Sequence, residues 1–251
     1  MRYPLLVAFL FFANLGYACS CAHWGLPEHF DHAEFVGVVE IISIQKRRDY
    51  RDDSKIEIRP LEIFKGKEIE AVFTTSSNCA FVANVGSKWL VYADAGEDGK
   101  MNTSYCSGNL NFESVVDSAA YPTLRGKLER RLQVKLEILR SLKRNNITRL
   151  YNSSLYATGS FESLKGYSEE KSFGIYRLGI GPDLAIARVE AVDGFENQEL
   201  SGEITKFLKT QKLVFRGTGK TPTNEKREIV MILFNYPQEE GYPSFISTSD
   251  L

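Results

Sequence analysis

The sequence predicts two folded parts. Residues 19–145 read as a mainly β domain, a small five-stranded Greek-key barrel with a C-terminal helix. Residues 172–251 read as a smaller α+β domain with an antiparallel sheet and one helix. Three observations carry this. Five short segments between Ala33 and Cys106 read as strands, the first four carrying most of the β-branched and aromatic residues. Leucines from Leu124 to Leu142 recur at spacings of three and four. After a polar stretch, 146–171, which reads as a linker, the order becomes strand, strand, helix, strand.

Ahead of the first part, residues 1–18 read as a signal peptide. Arg2 supplies the positive start, Leu5–Phe12 is unbroken apolar sequence, and Gly16-Tyr17-Ala18 places small residues where signal peptidase cuts. The apolar run is too short for a bilayer span, which takes about 20 residues. No other stretch is a transmembrane candidate. The expected location is therefore secreted or periplasmic. Acylation of Cys19 is the rival reading, a lipoprotein anchor. Gly16 and Tyr17 fit a lipobox poorly, and acylation would leave an odd cysteine. Loss of residues 1–18 takes away Arg2 and no acid, moving the net charge from −1 to −2. Such a near-neutral chain is not expected to bind nucleic acid.

Cys19-Ser20-Cys21 follows the leader directly and holds half of the four cysteines. Two cysteines one residue apart bond poorly to each other, so each seeks a partner elsewhere. Four cysteines allow three connectivities. Ala22–His32 reads as a polar loop containing all three histidines, His23, His29 and His32. A zinc site there would need His and carboxylate ligands, but the spacing matches no ligand motif, and a solvated loop is the preferred reading.

Ala33–Ser43 predicts the first strand, with Gly37 marking a bend or bulge. Lys55–Phe64 alternates and predicts the second, with Pro60 marking an edge or a break in the ladder. Lys65-Gly66-Lys67 turns the chain into a third strand, Glu70–Thr75. A polar loop carries Cys79. Lys88–Ala93 predicts the fourth strand and Met101–Cys106 a short fifth. Pro122 opens the helix, whose leucine face is expected to pack on the core, and Lys143, Arg144 and two asparagines stop it. Five strands and a helix in about 125 residues fit a barrel of the OB type.

The residues of this part resemble the netrin-like domain, in particular the N-terminal domain of the tissue inhibitors of metalloproteinases. Cys19-Ser20-Cys21 matches that family's Cys-Ser/Thr-Cys start. Phe64-Lys65-Gly66 matches its Phe/Tyr-Lys-Gly, Cys79 precedes a strand reading Trp89-Leu90-Val91-Tyr92, and Cys106-Ser107-Gly108-Asn109 leads towards the helix. The resemblance implies bridges Cys19–Cys79 and Cys21–Cys106, and a zinc metalloprotease as partner. It implies that Cys19 binds the protease zinc in trans, with Ser20 and Cys21 beside it and Ser77, Asn78 and Ala80 as a neighbouring ridge. The chain departs from the family in three ways. It lacks the cysteines of a third N-terminal bridge and the cysteine-rich C-terminal domain. Its loop reads Ser76-Ser77-Asn78-Cys79-Ala80.

In the second part, Ser172–Ile180 and Leu184–Val192 predict a hairpin turning at Gly181-Pro182-Asp183. Glu199–Thr210 predicts a helix, Leu213–Phe215 is apolar, and Arg227–Tyr236 predicts the last strand. This order resembles the C-terminal domain of TonB-type envelope proteins. It implies a module that contacts other envelope or extracellular proteins by adding an edge strand.

No enzyme constellation is present, and no cofactor is expected. There is no nucleophile elbow, His-Glu-x-x-His, phosphate-binding glycine loop or Cys-x-x-Cys. Gly217-Thr218-Gly219-Lys220 lacks the spaced glycine of a P-loop, and Pro222 opposes the helix that such a loop begins. Two functions follow as expectations. One is a metalloprotease inhibitor acting through a free Cys19 amine. The other is a non-inhibitory extracytoplasmic interaction module.

Overall fold

The computed structural model describes residues 19–22, 24–45, 53–75, 77–113, 122–150, 155–157, 160–181, 184–211, 213–215 and 228–248. Residues 1–18, read from the sequence as a signal peptide, lie outside the described residues, as do His23, Ser76 and Gly217–Lys220. The protein is mainly β, with a closed five-stranded barrel, a second sheet and three helices among the described residues.

The barrel comprises β1 (Phe35–Gln45), β2 (Ser54–Lys65), β3 (Ala71–Thr74), β4 (Lys88–Ala95) and β5 (Met101–Asn102). Its strand order is β1-β2-β3-β5-β4, and β1 also pairs with β4, which closes the ring. All neighbours are antiparallel except β3 and β5. A two-residue strand, β6 (Leu110–Asn111), adds to β4. β1 serves two partners because it bends: its register against β2 shifts at Val36/Gly37, Val38/Val39 and Ile41/Ser43. Pro60 faces Val39 of β1, while β3 pairs only with Ser54–Glu57 of β2. The missing proline N–H therefore falls where β2 has a single neighbour.

Alternation along β1 separates two cores. Phe35, Val39 and Ile41 fill the barrel with Ile56, Ile58, Val72, Phe81 and Val91. Val36 and Val38 face outward, into a cluster with α1 (Leu26–His32) and α2 (Pro122–Arg144).

Residues 22–32, read as a loop, contain the helix α1. Its signals are local and short. Pro27 lies in the first turn, the Gly25 amide donates to Glu28 Oε2 at 3.0 Å, and Leu26 and Phe30, four apart, are buried. A further support comes from afar. Lys65 Nζ donates to the carbonyls of Phe30 (2.7 Å) and Asp31 (3.3 Å) at the end of α1. Burial pulls the Lys65 ammonium below its ordinary value, against the opposing charges of Asp31 and Glu34. Gly66 follows at φ +84°, and a Cβ there would lie 2.2 Å from the Glu34 carbonyl oxygen. Phe64, Lys65 and Gly66 thus act as core residue, helix tether and close-approach turn.

The leucine face of α2 divides in two. Leu132, Leu136, Leu139 and Leu142 are buried as the periodicity predicts, but Leu124 and Leu128 are 47% and 38% exposed. The first turns of the helix run past the core. Arg140 grips Glu62 of β2 with two hydrogen bonds, at 3.0 and 2.8 Å.

The second sheet is antiparallel, with β12 (Phe245–Ser247), β11 (Glu228–Tyr236), β8 (Phe173–Ile180) and β9 (Ile186–Asp193) in that order. β7 (Leu155–Ala157) and β10 (Leu213–Phe215) form a separate pair. Every residue from Ile229 to Asn235 in β11 is buried because both faces are covered. Ile229, Met231 and Leu233 meet Leu200, Ile204 and Leu208 of α3 (Gln198–Thr210). Val230, Ile232 and Phe234 join Leu139 and Leu142 of α2 in the cluster shared with the barrel. Residues 146–171 carry β7 and a 3₁₀ turn at Phe161–Leu164. Leu150 there is buried, its amide donates to Asp31 Oδ1 at 2.5 Å, and its carbonyl accepts from Val230 N at 2.9 Å. Among the described residues, no helix is long and apolar enough to cross a membrane.

Candidate functional site

Of the three connectivities open to four cysteines, the structure forms Cys19–Cys79 and Cys21–Cys106. The bridges lie side by side, with Cys19 Sγ 3.6 Å from Cys106 Sγ. No cysteine is free. The sulfurs of Cys19, Cys21 and Cys106 gather within metal-ligand distance of one another, yet all three are in disulfides and offer no thiolate. Among the described residues this is the only such gathering. His29 and His32 pack against aromatic rings instead. His32 stacks on Trp24 at 4.4 Å, and His29 lies 5.7 Å from both Trp24 and Tyr92.

The 77–80 loop is a tight turn. Ser77 Oγ accepts from the Cys79 amide (3.2 Å) and bonds Thr75 Oγ1 (2.9 Å), and the Ala80 amide donates to the Ser77 carbonyl (3.0 Å). The Cys79 carbonyl accepts from Tyr105 N at 2.8 Å, and Ala80 pairs with Ser104 in an antiparallel bridge. The loop is therefore bonded to the segment that carries Cys106.

That segment differs from the predicted strand Met101–Cys106. The strand β5 ends at Asn102, and Tyr105–Ser107 is a 3₁₀ turn. Ser104 caps it, accepting from Cys106 N at 3.2 Å. Asn109 fastens it to the barrel. Its Oδ1 accepts from Tyr92 N (2.9 Å), and its Nδ2 donates to Thr103 Oγ1 (2.8 Å) and the Ser104 carbonyl (3.1 Å). Gly108 has φ +83°, and a Cβ there would fall 2.5 Å from the His29 ring. The Cys106-Ser107-Gly108-Asn109 run thus packs on α1 by glycine and bonds β4 by asparagine.

The structure brings the predicted residues into one place. Cys19, Ser20 and Cys21 sit beside Cys79 and Cys106 through the bridges, and Asn78 and Ala80 flank Cys79. Ser20, Ser77 and Asn78 are exposed, while the cysteines and Ala80 are half-buried. Sequence reasoning missed the apolar residues near it. Tyr105 is 70% exposed and Val82 77%. Tyr105 adjoins Cys106 and Val82 follows Cys79 by three, so proximity to the cysteines was the available signal. An exposed aromatic beside an exposed polar loop is a surface that can contact a protein partner.

No protein-family model and no curated protein sequence matches the chain.

Proposed function

We propose that this protein inhibits zinc metalloproteases outside the cytoplasm, with Cys19 as the residue that meets the protease zinc. The observation carrying this is the double tether of residues 19–21 beside an exposed, hydrogen-bonded 77–80 loop. Two disulfides fit an oxidising compartment. The barrel's order, with β3 parallel to β5 and β1 closing on β4, supports the OB-type Greek-key assignment.

In this reading a signal peptidase cuts before Cys19 and frees its α-amine. An α-amine has an ordinary pKa of about 7.7–8.0, so a substantial fraction is neutral near pH 7.5, and metal binding draws off the remaining protons. The amine nitrogen and the Cys19 carbonyl oxygen bind zinc at the position water otherwise holds. The Cys19–Cys79 bridge holds both atoms still, so little conformational freedom is lost on docking. Ser20 enters the pocket beside the zinc. Cys21 anchors the 19–21 segment through its bridge to Cys106, and Ser77, Asn78 and Ala80 contact the protease rim.

The test compares mature protein with a version carrying one alanine before Cys19, against a panel of zinc metalloproteases. Inhibition by the mature form alone supports the proposal. Equal inhibition by both versions rules out chelation by the terminus. No inhibition by either favours the second reading, a non-inhibitory interaction module of the envelope or extracellular space. The observation behind that reading is the β8, β9, α3, β11 order, with β9 and β12 at the sheet edges.

A further inference from the structure

The first half of α2 runs past the core. Every residue from Thr123 to Arg131 is exposed. Between 123 and 135 five basic residues stand against one acid, Glu129, in a chain whose net charge is −1. Arg125 pairs with Glu129 at 2.8 Å. Lys127, Arg130 and Arg131 make no ion pair among the described residues.

The order of these residues on the helix matters more than their number. Leu124, Leu128, Arg131 and Lys135 follow at spacings of four, three and four, so they form one stripe. Lys127 lies beside it. Glu129 and Glu137 fall more than about 100° away around the helix. One face therefore carries exposed leucines and positive charge together, with the acids turned aside. A globular core helix does not need this: its leucines are buried and its charges are mixed on the far side, as the Leu132–Leu142 half shows.

We infer that this face of α2 docks on an anionic lipid surface. Charge complementarity names the partner's sign, and the two leucines distinguish lipid from other polyanions. A polysaccharide or nucleic acid engages the cations and gains nothing from Leu124 and Leu128, whereas a bilayer interface takes both. Each near-surface cation strengthens binding to an anionic membrane about fivefold, and salt screens the attraction over about 10 Å at 0.1 M. Binding would hold the protein at a membrane with the helix lying in the interface. The inference is independent of the inhibitory proposal.

The test is sedimentation of the mature chain with two kinds of vesicle, one containing phosphatidylglycerol and one of phosphatidylcholine alone. Wild type is expected to bind the anionic vesicles, with binding that falls as salt rises. K127Q/R131Q is expected to lower partitioning roughly 25-fold, and L124S/L128S roughly tenfold. All four positions are exposed, so both variants should keep the wild-type Tm, which is measured alongside. Three results overturn the proposal: no binding to anionic vesicles, equal binding to both kinds, or undiminished binding by L124S/L128S. A chain retained on heparin but not on anionic vesicles also overturns it, and marks a polysaccharide-binding surface instead.

Discussion

Ser141, wholly buried in α2, donates a hydrogen bond to the Asp193 carboxylate at the end of β9. The same carboxylate takes a bond from Lys171 Nζ and has Arg144 at 3.7 Å. Lys171 also donates to the Asp193 and Gly194 carbonyls, at 3.2 and 2.7 Å. A single side chain thus joins the barrel's helix to the second sheet.

Asp193→Ala is expected to destabilise the protein by about 1–3 kcal/mol, because it strands a buried hydroxyl and a lysine. Burial raises the Asp193 pKa, but the bonds from Lys171 and Ser141 and the charges of Lys171 and Arg144 outweigh it, and the net shift is downward. A carboxyl depressed on folding contributes stability above its unfolded value, ordinarily 3.8, and loses it as pH falls through the folded value. Denaturant melts of wild type and Asp193→Asn across pH should therefore converge below about pH 4. A gap that stays constant down to acid pH would refute the linkage.

The buried cluster that spans Phe30, Val38, Leu139, Leu142, Ile175 and Val230 crosses both halves of the chain. Calorimetry should show one cooperative transition, with Leu139→Ala lowering stability by about 2–5 kcal/mol. Two resolved transitions, only one of them moved by the variant, would contradict this.

Gly66→Ala should be among the most damaging single-methyl changes. It places a Cβ 2.2 Å from the Glu34 carbonyl at a positive φ, so a loss above about 1 kcal/mol is expected. Gly86→Ala, also at positive φ but with open space around it, is the control for the conformational part. Equal losses at both would assign the whole effect to φ.

Removing the second bridge with C21S/C106S should lower stability by roughly 4–5 kcal/mol, the chain-entropy value for a long closed loop. The residues it joins are 85 apart in sequence. Chemical denaturation of the variant under oxidising conditions measures it. A loss under about 1 kcal/mol would show that the unfolded chain is already constrained without this bridge.

The extents of the long elements were legible because their signals are local. The first β-rich run predicted 33–43 and the structure pairs 35–45; the helix from Pro122 ends at Arg144, where the polar stop was read. Alternation and threefold-fourfold spacing report which side of an element is apolar without reference to anything distant. Short elements escaped for the converse reason. β6 and β12 have two and three residues and exist only by pairing with β4 and β11. The helix α1 is one of these cases, since Lys65, far along the chain, secures its end.

Sequence alone located the first four strands of the barrel, the start of a fifth, the leucine helix, the strand-strand-helix-strand order after it, and the places where four cysteines stand. Those follow from propensity and period, which act over a few residues. Only the tertiary structure decided which leucines of α2 are buried. The four-residue spacing of Leu124 and Leu128 is the same as that of the buried Leu132 and Leu136, and burial depends on whether a barrel and a sheet lie within reach. It also decided that β11 is covered on both faces, that His29 and His32 pack against rings, and that Ser141 finds Asp193. Each of these is a meeting of residues far apart in the chain, and a local pattern carries no information about its partner.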